Sequence, residues 1–259
     1  MNAAIIQARM GASRLPGKVL MEIKDDESVL HYVIKQLRYC KTIDKIIVAT
    51  SNLSDDDVIR DVCNDLSVEC FRGDEKNVLD RYYKCSKKFS ISPIIRIPAD
   101  KPLIDPRIVD YMLNIFNSGS YDYVTNFLPL TFPSGTEVEI FSFDTIKKAW
   151  QNAVLPSYKE HVTKYIYTHK ENFRIFNVKN ENDLSKFRWA VDRIEDLRLV
   201  REIVKRIKKR PIVTGDIIKI LENEPDLIKI NGSMNYEEGS LKSLEEDKNF
   251  LKQNEKKSK

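Results

Sequence analysis

Short apolar runs alternate with amphipathic stretches over the first 120 or so positions. Residues 3–6 (AAII) read as a buried central strand, and 45–50 (KIIVAT), 67–71 and 93–97 read as three more. Between them the apolar positions recur at helical spacing. Val29, Tyr32, Val33 and Leu37 mark a helix over 28–39 with Ser28 as its N-cap. A second helix runs from the turn 51–57 through Leu66, with acids in its first turn, and a third covers 76–89. A fourth opens at Asp105-Pro106, with proline at its first position, and runs to about 117. Four strand–helix units in succession predict a parallel, doubly wound sheet.

Past residue 120 the pattern changes. Residues 122–126 read as a strand, 127–133 as a proline-containing loop, and 137–141 (EVEIF) as an alternating, half-exposed strand. Helices are expected over 143–151, 157–168, 195–208 and 214–222, and strands over 173–178 and 187–190. Beyond Asn231 the periodicity fades, and 231–259 reads as a charged, mobile tail with room for a frayed helix. Packing on a partner subunit is the alternative for that tail.

Composition narrows this only a little. With 259 residues the chain suffices for one large α/β domain or two small ones, and 42% hydrophobic content supports a real core. A net charge of +4, from 43 cations and 39 anions, is too balanced to argue for nucleic acid, and no nucleic-acid-binding motif is seen. Cys40, Cys63, Cys70 and Cys85 form no C-x-x-C pair, so zinc and disulfide readings are weak. The sequence shows neither a signal peptide nor an apolar span of about 18 residues, so a cytoplasmic protein that does not enter membranes is expected.

Residues 7–18 (QARMGASRLPGK) change the picture most. They follow the first strand directly and combine Gly11, Gly17 and Pro16 with Arg9, Arg14 and Lys18, without one acid. The glycines permit unusual backbone angles and close approach to a ligand. The proline fixes a dihedral and discourages a helical Leu15. Cations around exposed backbone N–H groups, past the carboxyl end of a strand, suit a polyphosphate; an ordinary solvated basic loop is the competing reading. The loop is neither a Walker loop nor a dinucleotide fingerprint. Asp100 ends the fourth strand and Asp192 follows Trp189-Ala190-Val191, so both stand at strand ends on the same rim. Two carboxylates opposite a cationic loop are what metal-assisted nucleotidyl transfer needs, and Mg²⁺ takes such hard oxygens. Capping is the rival role for either aspartate alone. A further patch, Arg72-Gly73-Asp74 with Val78-Leu79-Asp80-Arg81-Tyr82, follows the third strand. There Arg72 ranks ahead of Arg81 for nucleotide contact, with a capped helix start as the alternative.

Residues 5–20, IIQARMGASRLPGKVL, resemble the signature of the CMP-KDO synthetase-like nucleotidyltransferases, most closely the spore-coat polysaccharide SpsF-type branch, I-I-Q-A-R-M-G-S-[ST]-R-L-P-G-K-V-L. RIPADKPLIDP (96–106), WAVDRIEDL (189–197) and the 72–82 patch are similar to further segments of that family. The resemblance implies a nucleotide-diphospho-sugar transferase fold: a Rossmann-like, mixed, mostly parallel sheet with helices on both faces. It implies one domain over 1–230, with a nucleotide-binding half (about 1–120) and an acceptor-binding and dimerisation half (about 121–230). It implies a cytidylyltransferase that moves CMP from CTP to a sugar acid or other small acceptor, with Asp100 and Asp192 as Mg²⁺ ligands. Arg9, Lys18 and Asp100 are then the catalytic residues. Gln7, Ala8, Gly11, Ser13 and Arg14 join them on the nucleotide, with Thr50, Ser51, Arg72 and Gly73 toward the base. Asn126, Glu137, Glu139 and His161 fall in segments similar to the family's acceptor region. Lys101 stands where SpsF-like members often carry Cys, and is expected to meet an acidic group of the substrate. Related enzymes imply a homodimer. Three rivals remain. One is a nucleotide-sugar-dependent glycosyltransferase, for which an Asp-x-Asp after a strand is lacking. A second is a non-catalytic nucleotide-binding or scaffold protein, against which both aspartates and all three loop cations argue. The third is the same transfer from another base, such as dTTP or GTP.

Overall fold

The computed structural model describes residues 1–232 and 238–257. Its first strand, β1 (Ala3–Gln7), has almost no polar surface to offer water and lies at the centre of a seven-stranded sheet. Around it the chain lays a small ribbon, β2 (Glu22–Lys24) and β3 (Glu27–Ser28), then α1 (Val29–Leu37), β4 (Lys45–Ser51), α2 (Asp57–Asp65), β5 (Glu69–Gly73), α3 (Val78–Lys88), β6 (Ile94–Pro98) and α4 (Pro106–Ser118). The second half adds β7 (Tyr123–Thr125), β8 (Glu139–Phe141), α5 (Phe143–Asn152), α6 (Pro156–Glu160), α7 (Lys164–Thr168), β9 (Ile175–Asn177), α8 (Ile194–Arg206), α9 (Thr214–Asn223) and α10 (Glu238–Lys257). The sheet order is β5-β4-β1-β6-β8-β7-β9, and β8 alone runs against its neighbours. This is the expected mixed, mostly parallel sheet of the nucleotide-diphospho-sugar transferase fold, and its parallel strands end on one rim.

Both faces of the sheet are covered, which explains why the strands are apolar throughout rather than alternating. Ala4, Ile6, Val48 and Ile97 pack on one side with Leu30, Val33 and Met112 of the helices. Ala3, Ile5, Ile47 and Ile94 pack on the other with Leu79, Tyr82 and Ile146. A third apolar cluster joins α8 and α9 to the ribbon through Trp189, Val200, Ile203 and Ile23. The helix starts follow their caps: Ser28 accepts from the His31 amide, and Asp105 accepts from the Arg107 amide with Pro106 at the first position.

Four expectations are corrected. The helix expected over 157–168 is two short helices, interrupted at buried Val162, whose φ of 45° lies in the left-handed region. The strand at 137–141 is not half-exposed. β8 sits between β6 and β7 with all three residues buried, and the charge of Glu139 is met by Arg96. Residues 187–190 form no named strand but bond to Ser134 through the Trp189 and Ala190 amides at 2.8 and 3.3 Å. That approach needs Gly135, at φ 109°, because a Cβ there would stand 2.7 Å from the Trp189 ring. Finally, much of the expected mobile tail is α10, packed on α6. Its docking groups are Ser243 and Asp247, polar residues that an apolar periodicity does not register. Residues 233–237 and 258–259 of that tail lie outside the described residues. Among the described residues no helix is long and apolar enough to cross a membrane.

Candidate active site

A cleft of about 930 Å³ opens past the carboxyl ends of β1 and β6. One wall is the loop over 7–18. The loop turns back on itself, with the Ala12 and Gly17 amides both donating to the Met10 carbonyl at 2.9 and 2.8 Å, and Gly17 takes φ 71° to do so. The Met10 amide donates to Asp56 Oδ1 at 2.7 Å, while Asp56 Oδ2 accepts from the Ser51 amide and hydroxyl at 3.1 and 2.5 Å. Burial works against the Asp56 charge, but these donors outweigh it and hold its carboxyl below the usual range. One side chain thus ties the loop after β1 to the end of β4.

The two aspartates meet at Lys18. Its ammonium lies 3.1 Å from Asp100 Oδ2 and 2.9 Å from Asp192 Oδ1, and donates to the Val191 carbonyl at 2.7 Å. The backbones of the two acidic loops are joined as well, because the Val191 amide donates to the Asp100 carbonyl at 2.7 Å. Asp192 also receives Arg14 at 2.9 Å and Arg188 at 2.5 Å. Burial opposes the Lys18 charge, yet Asp100 and Asp192 together raise its pKa above the ordinary value. Burial likewise opposes the Asp192 charge, and Lys18, Arg14 and Arg188 more than compensate, so its pKa falls. Hence residues 100 and 192, far apart in sequence, converge on the first loop.

Of the other expected residues, Gln7, Ala8, Arg9, Gly11, Ser13 and Arg14 line the cleft, and so does His161 on the facing wall. Arg9 reaches across to Glu160 at 3.7 Å. Burial holds the His161 imidazole below its usual range, and its Nε2 lies 2.7 Å from the Ser243 hydroxyl. The remaining expected residues stand outside the lining. Thr50 and Ser51 are fully buried at the end of β4. Arg72 braces the segment after that strand: it donates to the Ser51 and Leu53 carbonyls at 2.9 and 2.7 Å and pairs with Asp57. Lys101 and Glu137, both expected to meet substrate, meet each other at 3.0 Å. Buried Asn126 clamps backbone, donating to the Thr136 carbonyl at 3.1 Å and accepting from the Val138 amide at 2.8 Å. Glu139 is enclosed by Arg96, Thr163 and the Tyr123 hydroxyl, and Arg96 in turn donates to Gln7 Oε1 at 3.1 Å. Glu139 is thus linked to the cleft-lining Gln7 through Arg96.

Three contributors were not singled out for these roles. Asp56 looked like an acid in a helix first turn. Arg188 carries no motif. Arg81 ranked behind Arg72, yet it is the arginine turned inward. It is only 2% exposed, its Nε and Nη1 have no hydrogen-bond partner, and no carboxylate lies within ion-pair distance of it among the described residues. Burial lowers its pKa. Gly73 makes room for it, since a Cβ there would lie 3.1 Å from Arg81 Cγ. It is a buried cation with two unmet N–H donors, lying under the 75–77 segment that lines the cleft.

A family model described as cytidylyltransferase matches residues 3–256. An uncharacterized protein of Methanocaldococcus jannaschii is 36% identical over 244 residues, 93% of this chain and 98% of its own. The spore coat polysaccharide biosynthesis protein SpsF of Bacillus subtilis is 32% identical over 231 residues, 86% of this chain and 94% of its own. A solved cytidylyltransferase structure from Leptospira borgpetersenii superposes with a TM-score of 0.86 at 30% identity, covering 91% of this chain and 100% of that one. The likeness spans both walls of the cleft and both acidic loops, and the chain belongs to the cytidylyltransferase family.

Proposed function

We infer that the protein transfers CMP from CTP to a sugar acid or a similar small acceptor and releases pyrophosphate. The observation that carries this reading is the single ammonium of Lys18 shared by Asp100 and Asp192 at the mouth of a cleft walled by the cationic loop. An acceptor oxygen attacks the α-phosphorus, the bond from that phosphorus to the bridging oxygen breaks, and pyrophosphate leaves. Arg9, Arg14 and Lys18 hold the triphosphate and neutralise the charge that grows on the leaving group. Gln7, fixed by Arg96, borders the nucleoside, and Arg81 lies buried beneath the 75–77 wall. Asp100 and Asp192 fit Mg²⁺ as a donor set, being two hard carboxylates from separate loops already gathered around one cation. When bound there, the ion supplies orientation and charge neutralisation at the phosphoryl group. The name of the SpsF relative supports a sugar-derived acceptor. His161 faces that acceptor. A cytoplasmic homodimer completes the reading, and light scattering on the purified protein tests the dimer.

The test is pyrophosphate release from CTP, ATP, GTP, UTP and dTTP with Mg²⁺ across a panel of sugar acids. Acceptor-dependent release from CTP is expected. Asp100→Asn should lower it at least about a hundredfold while the circular dichroism spectrum stays that of the wild type. Absence of release from every nucleotide overturns the reading.

A further inference from the structure

The wall facing the cationic loop is built in an unusual way. It consists of α6, which packs on α3, and the residues just after it. Leu155 precedes α6 and offers no side-chain cap. Val162 sits at φ 45°, a conformation that a β-branched residue keeps only when its surroundings enforce it. Part of the enforcement comes from within, through Thr163 on Glu139. Part comes from the apolar cluster that buries Val162, and α10 adds direct bonds on either side of it. Asp247, 8% exposed, accepts from the Ser157 amide at 3.0 Å and the Ser157 hydroxyl at 2.6 Å. Four residues earlier, one helical turn away, Ser243 meets His161 at 2.7 Å. On the same helix Glu246 and Phe250 join His161 in lining the cleft.

We propose that α10 is a wall of the acceptor subsite and that Asp247 is a positioning residue, holding Ser157 and with it Glu160 and His161 at the cleft. Substrate specificity then depends on a helix at the far end of the chain from the phosphate loop. The inference rests on the cytidylyl-transfer reading for the word acceptor. The contacts that define it belong to the protein alone. Among the described residues Arg14, Lys18 and Asp100 pair away from α10, and only Arg9 touches this wall, through a half-exposed pair with Glu160 at 3.7 Å, so the nucleotide end should respond only weakly to α10.

The experiment compares the full chain with Asp247→Ala and Asp247→Asn by hydrogen exchange, CTP·Mg²⁺ titration calorimetry and steady-state kinetics on the sugar-acid panel. In Asp247→Ala, exchange over 156–163 should quicken severalfold while β1, β4 and β6 remain slow. The CTP dissociation constant should stay within about twofold, and the acceptor KM should rise about tenfold with a smaller change in kcat, the scale of losing charge-assisted hydrogen bonds. Asp247→Asn keeps one accepting oxygen and should fall between. Unchanged exchange over 156–163, loosening spread evenly over the molecule, or a loss of CTP affinity matching the loss for acceptor overturns the proposal. If the wild type turns over no sugar acid, the acceptor reading fails. The exchange and titration arms still decide whether Asp247 holds this wall.

Discussion

Lys18 and Asp192 hold each other ionised, and the sign of each shift sets where that matters. The Asp192 carboxyl is depressed, so its contribution to stability is fully present above the unfolded value near 3.9 and is lost as pH falls through its lower folded value. The Lys18 ammonium is raised, so its contribution is present below about 10.4 and is lost only as pH climbs through the higher folded value. The difference in unfolding free energy between the wild type and Asp192→Asn should therefore be flat from about pH 5 to 9 and shrink below about pH 4. Denaturant titrations across that range check it, and a difference undiminished at low pH contradicts it. Glu139 yields a second test. Its pairing with Arg96 is buried in the sheet, and leaving one buried partner uncompensated costs about 3–5 kcal/mol. Glu139→Gln keeps the shape and removes the charge, so urea unfolding should show a loss of that order. A loss under about 1 kcal/mol would mean that water reaches the pair.

At the scale of elements, the site is a set of loops stapled to one another. Asp56 joins the loop after β1 to the end of β4 through three donors. Asp56→Ala should cost about 1–3 kcal/mol in stability and raise the CTP KM about tenfold, because the phosphate loop loses its anchor while its cations remain. An unchanged KM in a destabilised protein would limit Asp56 to folding. The same stapling explains what the sequence could and could not convey. β1, α1, α3 and α4 were legible because their period and caps are local. The three loop cations and both aspartates were legible because they sit in contiguous motifs, the cations and Asp100 just past strand ends. The roles of Arg72 and Arg81 were not, since both stand in one motif and only the packing around Gly73 decides which turns inward. Lys101 and Glu137 bind each other across 36 positions, and Asp247 binds Ser157 across 90, separations over which spacing along the chain carries no signal. The break at Val162 was hidden for a related reason. It goes with the burial of Val162 in an apolar cluster and with the bonds its neighbours make to Glu139 and α10, rather than with any local breaker.

At the scale of the molecule, the cleft draws its walls from segments scattered over most of the chain: the 7–18 loop, 75–77, 98–100, 154–161, Asp192 and α10. No unfolded chain can gather them, so a ligand that fills the cleft binds the folded state alone and must stabilise it. At a hundred times its dissociation constant, CTP with Mg²⁺ should add about 2.7 kcal/mol, which for a chain of this length raises the unfolding midpoint by about 5–10 °C. The charges of the site divide that shift into two parts. Arg9 and Arg14 belong to the protein and attract the nucleotide with or without metal, so CTP in the presence of EDTA should retain part of it. The remainder would come from a divalent cation taken up at Asp100 and Asp192, whose charges are otherwise balanced by Lys18, Arg14 and Arg188. In Asp100→Asn the gain from Mg²⁺ should shrink toward zero, while the shift from CTP alone stays the same or grows, because one negative charge is gone. Scanning calorimetry with CTP, with and without Mg²⁺, on both proteins reads these four values directly. Equal shifts with Mg²⁺ and with EDTA in the wild type would remove the metal from the site. A mutant that keeps the full Mg²⁺ gain would place the ion elsewhere than on Asp100.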